Sequence, residues 1–413
     1  MIARPIVVVG GGTAGCTVVA QLAARTTRDI VLIEPGDPSV TDDIPGFFDV
    51  LAQPGITAVH EVRYVDDGPW CDYLQANVLG GGSAINGMIL AGEEPVHLRG
   101  MTRPAEHDEI GPMSRALLAS GGRAARLWWN GGRWNPAREV AHLESEGRVS
   151  VVRDHAQEIV HRNGFVEGVR TRVRDIAADA VVVCAGALVT PALLLRSGLG
   201  DIAPGIGRGL QDHPTITFTV RLNAPSTARF DASVVREWSS EGARFMNIAF
   251  ERADAESTDL GLLSVSLVNP TSRGSVRLDN LGNAVNELRL LSTASDRRRF
   301  RKGVLDASRL LDTPPFTEVV ALVEPFGDGS THAALSDMDD GDLDRWMLAQ
   351  VAPVSHASGS CAAVVDVDGR VDGTDGLFVA DASMLPGVPP TTTAAPVTMA
   401  ALRIARTLGD HFA

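Results

Sequence analysis

Three glycines close to the amino terminus have the spacing of a dinucleotide-binding turn. Gly10, Gly12 and Gly15 follow a short apolar run. In such a turn the first glycine permits a tight bend, the second lets a pyrophosphate approach, and the third lets a helix pack closely on a strand. Glu34 lies nineteen residues after Gly15, where a carboxylate would accept hydrogen bonds from ribose hydroxyls. The pattern predicts a dinucleotide site but does not separate FAD from NAD, and a glycine turn that binds nothing is the alternative.

The elements that would position this site are short apolar strands spread along the chain. The opening reads as strand, helix and strand, and two later apolar runs resemble further strands of the same sheet. The predicted strands are Ile6–Val9, Ile30–Ile33, Ala180–Cys184 and a run within 376–381. The predicted helices are Thr17–Ala24, Pro191–Arg196 and Val397–Leu408.

Between these pieces, residues from about 214 to 350 alternate apolar and polar positions. The clearest stretches are Thr215–Leu222, Leu262–Leu267 and Ser275–Leu278, and proline and glycine turns separate them. Alternation of this kind is typical of antiparallel strands with one buried face. We therefore expect a discontinuous cofactor domain, built from both ends of the chain, with a β-rich substrate domain inserted into it.

Composition excludes several other classes of protein. The formal net charge of −14 would repel phosphate backbones, so we expect no nucleic-acid partner. No window approaches eighteen apolar residues, so we expect neither a membrane span nor an export signal. Cys16, Cys71, Cys184 and Cys361 lack the spacing of a zinc site; we expect reduced thiols, no metal and a cytoplasmic location.

Five further segments carry a family resemblance. The segment Ala76–Met88, with its Gly80-Gly81-Gly82 run, resembles the first signature of the glucose–methanol–choline (GMC) oxidoreductase family. The second signature is matched by 186–200 together with Gly209-Leu210-Gln211-Asp212-His213-Pro214. The stretch 270–276 resembles the turn that opens a substrate-domain hairpin, and 356–361 and 381–386 follow the family's carboxyl-terminal pattern in order. The chain is shorter than most members, and its shortness is similar to that of a mycofactocin-associated subgroup.

The resemblance implies noncovalent FAD and an α/β fold. The cofactor domain would be doubly wound and Rossmann-like, formed by 1–100, 145–213 and 355–413, with an antiparallel-sheet α+β substrate domain at 214–354 and a linker or lid remnant at 101–144. Ile85 stands where some relatives carry a histidine bonded to the flavin. The implied cofactor-binding residues are Gly10, Gly12, Thr13, Ala14, Gly15, Glu34, Leu79, Gly81, Gly82, Ser83, Asn86, Gly87, Met88, Ala185, Gly186, Asp381, Ala382 and Thr393.

The resemblance also assigns the chemistry. His356 matches the family's catalytic histidine and would take the hydroxyl proton of a small-molecule alcohol while hydride leaves its carbon. Without the family, a histidine between serines and an alanine is more often a hydrogen-bonded loop residue. Thr392 stands where the family usually has a second histidine or an asparagine, and a threonine cannot carry a proton charge. We therefore expect a dehydrogenase that passes electrons to a redox carrier or partner protein rather than to oxygen.

Three other functions remain open from the sequence. They are a peroxide-forming alcohol oxidase, a non-redox member similar to a hydroxynitrile lyase, and a scaffold that has lost catalysis. Two features also have two interpretations. The tryptophans of 128–134 would either line a substrate channel or pack in the core, and His213 is interpreted as structural, holding the chain where it leaves the cofactor domain.

Overall fold

The computed structural model describes residues 3–38 and 41–412. The strands within these ranges are β1 (Ile6–Val9), β2 (Ile30–Ile33), β3 (Thr57–Arg63), β4 (Trp70–Ala76), β5 (Ile89–Leu90), β6 (Arg103–Pro104), β7 (Arg123–Ala124), β8 (Arg126–Leu127), β9 (Val149–Val152), β10 (Ala156–Arg162), β11 (Phe165–Thr171), β12 (Asp175–Ala177), β13 (Ala180–Val183), β14 (Arg208–Leu210), β15 (Thr215–Leu222), β16 (Val234–Ser240), β17 (Ala243–Phe250), β18 (Leu260–Leu267), β19 (Gly274–Leu278), β20 (Ala284–Glu287), β21 (Val320–Val323) and β22 (Leu377–Val379). The helices are α1 (Thr13–Ala23), α2 (Phe47–Leu51), α3 (Gly82–Ile85), α4 (Pro112–Ala119), α5 (Ala137–Ser145), α6 (Val189–Arg196), α7 (Ala294–Leu311), α8 (Pro314–Thr317), α9 (Asp340–Gln350) and α10 (Ala394–His411).

A five-stranded parallel sheet forms the cofactor half, in the order β22-β13-β1-β2-β9. Its central strands are continuous apolar runs, fully buried, as expected for a parallel sheet covered on both faces. Helix α1 packs against α5 and α10, and the antiparallel sheet β10-β11-β12 packs against β13. The carboxyl ends of β1, β2, β13 and β22 therefore meet at one edge, where ligands of such sheets bind.

A six-stranded antiparallel sheet forms the other half, in the order β21-β15-β18-β17-β16-β7. Its strands alternate, and Ile216, Phe218 and Val220 on one face of β15 join a core with residues of α7 and α9. The opposite face is turned toward the cofactor half. A mixed sheet, β14-β19-β20-β3-β4, brings the amino-terminal hairpin β3–β4 beside β20.

Most predicted elements are present, with shifted ends. Strands Ile6–Val9, Ile30–Ile33 and Thr215–Leu222 have the predicted bounds, whereas α1 begins four residues earlier than predicted, at Thr13. The segment 275–278 forms a strand, but it belongs to the mixed sheet rather than to the six-stranded one.

The segment between 101 and 144 is folded into both halves. Helix α4 packs on β16 and β17, and α5 packs on α1 and β9. Trp128 and Trp129 are only 1% and 4% exposed, and the rings of Trp128 and Trp134 lie 4.8 Å apart. Of the two interpretations of this cluster, core packing is therefore the one the structure supports.

Two absences hold for the described part of the chain. None of its helices is long and apolar enough to cross a bilayer, and none of its histidine, cysteine and acidic side chains form a group that could hold a metal ion. The four cysteines are free thiols, and all but Cys71 are buried.

Candidate active site

The amino-terminal turn has no room for side chains at two of its three glycines. Gly10 has a φ of +96°, and a Cβ there would lie 2.6 Å from the Cys184 carbonyl oxygen. A Cβ on Gly15 would lie 1.8 Å from the carbonyl oxygen of Gly10, so helix and turn touch only because Gly15 has no side chain. At Gly12 the nearest atom to such a Cβ is Gly81 Cα, 3.9 Å away, so the protein itself leaves this position open. The open position faces a cavity at the start of α1.

Glu34 ends β2 beside this turn. The Gly11 N–H donates to its Oε2 and the Gly36 N–H to its Oε1, each at 2.6 Å. Burial raises the pKa of Glu34, and these two N–H groups oppose that shift. Each carboxylate oxygen keeps a second lone pair, and the side chain lines the cavity, so it is able to accept from a hydroxyl pair.

The glycine-rich loop of the first signature closes over the start of α1. The Gly80 N–H donates to the Gly11 carbonyl oxygen at 2.7 Å, and the hydroxyls of Thr13 and Ser83 share a hydrogen bond of 2.8 Å. Gly80 and Gly81 both adopt positive φ, of +100° and +53°. These contacts hold α3 against the start of α1, and Gly82 and Ile85 of α3 line the cavity.

Arg133, a buried arginine to which the sequence patterns assign no role, holds the next part of the loop in place. Arg133 is fully buried and donates from Nη1 to both the main-chain oxygen and Oδ1 of Asn86, the latter at 3.1 Å. Asn86 Oδ1 also accepts from the Met88 N–H at 3.0 Å. Burial lowers the pKa of Arg133 to about 10. A cation therefore stands directly behind the loop, although nothing in the local sequence around Arg133 pairs it with Asn86.

Asp381 ties together the ends of two parallel strands. It follows β22, and its Oδ2 accepts from the Gly186 N–H at 2.7 Å and from the Thr190 hydroxyl at 2.6 Å. Its Oδ1 accepts from the Ser383 N–H at 2.8 Å. This carboxylate therefore joins the turn after β13 to the turn after β22.

A cavity of about 870 Å³ runs between the two halves. Its wall holds most of the predicted site residues: Gly10, Gly12, Thr13, Ala14, Glu34, Gly81, Gly82, Asn86, Gly87, Met88, Ala185, Gly186, His356, Asp381, Ala382, Thr392 and Thr393. Gly15, Leu79 and Ser83 lie behind the wall, Leu79 being 1% exposed and close to Gly11.

The residues present fit an FAD molecule. At the start of α1 the backbone leaves an open space that a Cβ on Gly12 would fill. The Glu34 carboxylate, which is able to accept hydrogen bonds from ribose hydroxyls, lies beside this space. A flat glycine loop follows in the direction of the histidines. Ile85 also lines the cavity and offers no nucleophile for a covalent link.

His356 lines the cavity, and His213 lies behind it, fully buried. His356 Nδ1 is 3.1 Å from His213 Nδ1, and the rings meet edge to face with centroids 5.2 Å apart. His213 Nε2 is 2.9 Å from the carbonyl oxygen of Pro389. Burial lowers the pKa of His356 to about 4, and burial together with the charge of His356 lowers the pKa of His213 to about 3. Both rings are therefore neutral at neutral pH.

Asp212 and Tyr73 hold the histidine loop in place. Asp212 Oδ2 accepts from the Tyr73 hydroxyl at 2.8 Å and from the His356 N–H at 2.9 Å, and Oδ1 accepts from the His213 N–H at 2.7 Å. The Ala357 N–H donates to Tyr73 Oη at 3.0 Å. Burial raises the pKa of Asp212 to about 7, against these donors. The Gln-Asp-His-Pro motif is thus part of the site, and its Asp-His pair was the signal that could have revealed it.

Thr392 contacts the main chain rather than the histidines. Its Oγ1 donates to the Ile89 carbonyl oxygen at 3.1 Å and accepts from the Ala91 N–H at 3.4 Å. The Thr392 hydroxyl hydrogen is therefore used in the hydrogen bond to the Ile89 carbonyl oxygen. This arrangement binds the loop before α10 to the end of the first signature.

Comparison with known proteins gives matches along most of the chain. Two GMC oxidoreductase models match, one at residues 144–215 and one at residues 270–401. An uncharacterised GMC-type oxidoreductase of Rhodococcus erythropolis is 28% identical over 67% of this chain and 59% of its own length. An oxygen-dependent choline dehydrogenase of Burkholderia pseudomallei is 26% identical over 74% of this chain and 62% of its own. The chain thus spans about three fifths of these two relatives.

Other matches extend over the full length. A 5-(hydroxymethyl)furfural oxidase of Methylovorus sp. is 26% identical, with 97% of each chain aligned. Among solved structures, pyridoxine 4-oxidase from Mesorbium loti superposes with a TM-score of 0.84 at 21% identity, covering 99% of both chains. A variant of Aspergillus oryzae formate oxidase studied for FAD modification gives a TM-score of 0.81 at 17% identity, covering 99% of this chain and 98% of that one. The overall architecture is therefore shared with these enzymes.

Proposed function

The chain belongs to the GMC oxidoreductase family, and on that premise we propose that it is an FAD-dependent alcohol dehydrogenase. In the proposed reaction an alcohol loses its hydroxyl proton to His356 and its carbon-bound hydride to the cofactor, leaving a carbonyl product. FAD, when bound, supplies the ring nitrogen that accepts the hydride. The electrons then leave to a redox carrier or partner protein rather than to oxygen.

The residues proposed to hold FAD follow the cavity wall. The N–H groups at the start of α1, next to Gly12 and Thr13, would face the pyrophosphate, and Glu34 would accept from the ribose. The backbone of 81–88 would lie along the flavin ring, supported from behind by Arg133 and Asn86. Because Ile85 offers no nucleophile, the cofactor is proposed to be noncovalent.

One observation carries the role of His356: the hydrogen bonds fix its tautomer. A carbonyl oxygen only accepts, so the 2.9 Å contact with Pro389 places a hydrogen on His213 Nε2. Neutral His213 then has a bare Nδ1, which accepts from His356 Nδ1–H at 3.1 Å. His356 Nε2 is left without a hydrogen and makes no hydrogen bond to the described residues, and the His356 residue lines the cavity. It is therefore proposed to accept the alcohol proton.

The surroundings of His356 also support an acceptor other than oxygen. Oxygen activation benefits from a positive group near the reduced cofactor. The position where the family usually has a second histidine or an asparagine holds Thr392, which carries no charge and whose hydroxyl is bonded to Ile89. His356 gains a proton in the proposed reaction, but Thr392 adds no second positive charge beside it.

Anaerobic reduction tests the proposal. The purified protein, loaded with FAD, is mixed with a panel of alcohols in a stopped-flow instrument, and flavin absorbance is followed for native protein, His356→Ala and the isosteric His356→Gln. We expect bleaching of native protein and rates lower by about 100- to 10,000-fold in both variants, because general-base steps contribute that much. Equal rates in all three proteins would remove His356 from the mechanism.

The acceptor is tested separately. The native enzyme is reduced with its alcohol and then mixed either with air-saturated buffer or with a quinone dye, and reoxidation is followed. We expect fast reoxidation by the dye and slow reoxidation by oxygen. Rapid peroxide formation in air would instead identify an oxidase.

A further inference from the structure

The cavity-facing side of the six-stranded sheet forms three ordered rows. Cross-strand pairing aligns Thr215, Ser266 and Met246 in the first row, and Thr217, Ser264 and Ile248 in the second. The third row holds Leu262 and Phe250. Successive rows are two residues apart, so the first and third are separated by about 13 Å at about 3.3 Å per residue.

The first row lies beside the histidines. The Thr215 hydroxyl donates to the His213 carbonyl oxygen at 3.4 Å and lies 2.6 Å from Ser266 Oγ. In the second row the Ser264 hydroxyl donates to the Ile248 carbonyl oxygen at 3.1 Å, whereas Thr217 Oγ1 has no hydrogen-bond partner among the described residues. Most polar groups of these rows are therefore already satisfied within the protein.

The third row ends in an aromatic wall. The ring of Phe250 lies 6.2 Å from that of Phe47 and 6.0 Å from that of Phe48, and the last two are 5.1 Å apart. All three rings line the cavity, together with Leu262. The far end of the pocket is thus apolar and aromatic.

No charged side chain of the described residues faces the cavity from this side. Among the described residues, the six-stranded sheet and α2 contribute only hydroxyl, aliphatic, thioether and aromatic groups to the wall. The nearby Arg252 is paired with Asp49 at 2.7 Å and with Asp231 at 2.8 Å, and none of the three lines the cavity. A charged substrate would therefore lose its hydration without gaining a partner.

From this arrangement we infer that the substrate is an uncharged alcohol with an extended apolar body. Resting on the proposed function, the inference places the hydroxyl-bearing carbon at His356 and the apolar body across Ile248 and Leu262 to Phe250. A sugar would leave most of its hydroxyls unpaired on these rows. Choline carries its charge on a nitrogen two bonds from the reacting carbon, over the threonine and serine rows, whereas the aromatic third row lies about 13 Å from the first row.

A chain-length series tests the inference without turnover. Binding of 1-butanol, 1-hexanol and 1-octanol to the FAD-loaded His356→Gln protein is measured by calorimetry, with choline, glucose and 8-hydroxyoctanoate as controls. We expect affinity to rise about fourfold per added methylene, because burying each methylene is worth about 0.8 kcal/mol. Choline, glucose and the hydroxy acid should bind more weakly than 1-hexanol.

Substitutions test whether the apolar body of the substrate contacts the aromatic wall. Phe250→Ala and Phe48→Ala should each weaken 1-octanol binding by about tenfold or more and leave 1-butanol binding within about twofold. Phe165→Ala, at a ring that is 62% exposed and outside the cavity wall, is the matched control and should change neither. If a cavity variant does not fold, the chain-length series in the His356→Gln background still decides.

The outcomes separate the pocket from the reaction. Affinity that stays flat from butanol to octanol, or tighter binding of choline or the hydroxy acid than of hexanol, would overturn the inference. Octanol binding as expected, combined with no reduction of native enzyme by any alcohol, would support the pocket assignment while contradicting the proposed function.

Discussion

Two substitutions of His213 separate its two hydrogen bonds. Asparagine carries its Oδ1 where histidine carries Nδ1, so His213→Asn retains an acceptor for His356 Nδ1–H but loses the donor to Pro389. Glutamine reaches the Nε2 position, so His213→Gln retains the donor to Pro389 but leaves His356 Nδ1 without an acceptor. The pair of variants has nearly the same size and polarity. Each variant keeps one of the two hydrogen bonds of His213, and only His213→Asn keeps the bond that sets the tautomer of His356.

The size of the effect follows from the cost of a buried donor without an acceptor. That cost is about 1–3 kcal/mol. In His213→Gln this cost destabilises the His356 tautomer that carries its hydrogen at Nδ1. The other His356 tautomer avoids the cost, because its hydrogen is at Nε2, in the cavity. A bias of about 1–3 kcal/mol reduces the fraction of His356 with a free Nε2 by about 5- to 150-fold. We therefore expect kcat to fall by this factor in His213→Gln, with KM nearly unchanged, and to stay within about threefold of native in His213→Asn.

Histidine ¹⁵N NMR reads the tautomer directly, without turnover. Signals of His356 are identified by their absence in His356→Gln, and protonated and bare ring nitrogens are distinguished by chemical shift. We expect Nδ1 protonated and Nε2 bare in the native protein and in His213→Asn, and the reverse in His213→Gln. A native His356 with hydrogen on Nε2, or equal kcat losses in both variants, would refute the reasoning.

Three further predictions concern the same site. Because the pKa of His356 is lowered to about 4 and the base must be neutral, kcat/KM measured against pH should be level above that value and fall about tenfold per pH unit below it; a midpoint near 6.5 would contradict the burial argument. Gly15→Ala should unfold the apoprotein because its Cβ would lie 1.8 Å from the Gly10 oxygen, whereas Gly12→Ala should keep the native apoprotein Tm and bind FAD more weakly, as measured by calorimetry. Thr392→Val should lower Tm because two buried hydrogen bonds are lost, and change kcat less than about threefold; a tenfold fall in kcat would show instead that the hydroxyl contacts the substrate.

Local patterns predicted the bounds of strands whose apolar positions follow a regular pattern. Ile6–Val9 and Thr215–Leu222 have the expected bounds because the first is apolar throughout and the second alternates strictly. The helix ends were less well predicted. α10 begins at Ala394 rather than Val397, since Pro396 falls in the first turn, where a missing N–H costs nothing. α1 includes Gly15, because packing against Gly10 outweighs the low helix propensity of glycine.

The site could be predicted only where a motif is continuous in sequence. The contacts around His356 join it to residues far away in the chain: His213 is 143 positions earlier and Tyr73 bonds to Ala357 across 284 positions. Hydrophobic periodicity carries no information about such pairs, and a Gln-Asp-His-Pro turn read alone looks structural. Arg133 was missed for the same reason, since its partner Asn86 lies 47 positions away. The roles assigned to these residues remain predictions for the experiments above.

The packing of α1 against α10 has a consequence for biosynthesis. Helix α1 is synthesised long before α10, yet Val19 and Leu22 of α1 and Ile404 and Leu408 of α10 belong to a single core. Strand β22, which completes the parallel sheet, is equally late. The nascent chain must therefore leave part of the apolar surface of α1 uncovered until α10 has been made, so this half completes its folding late.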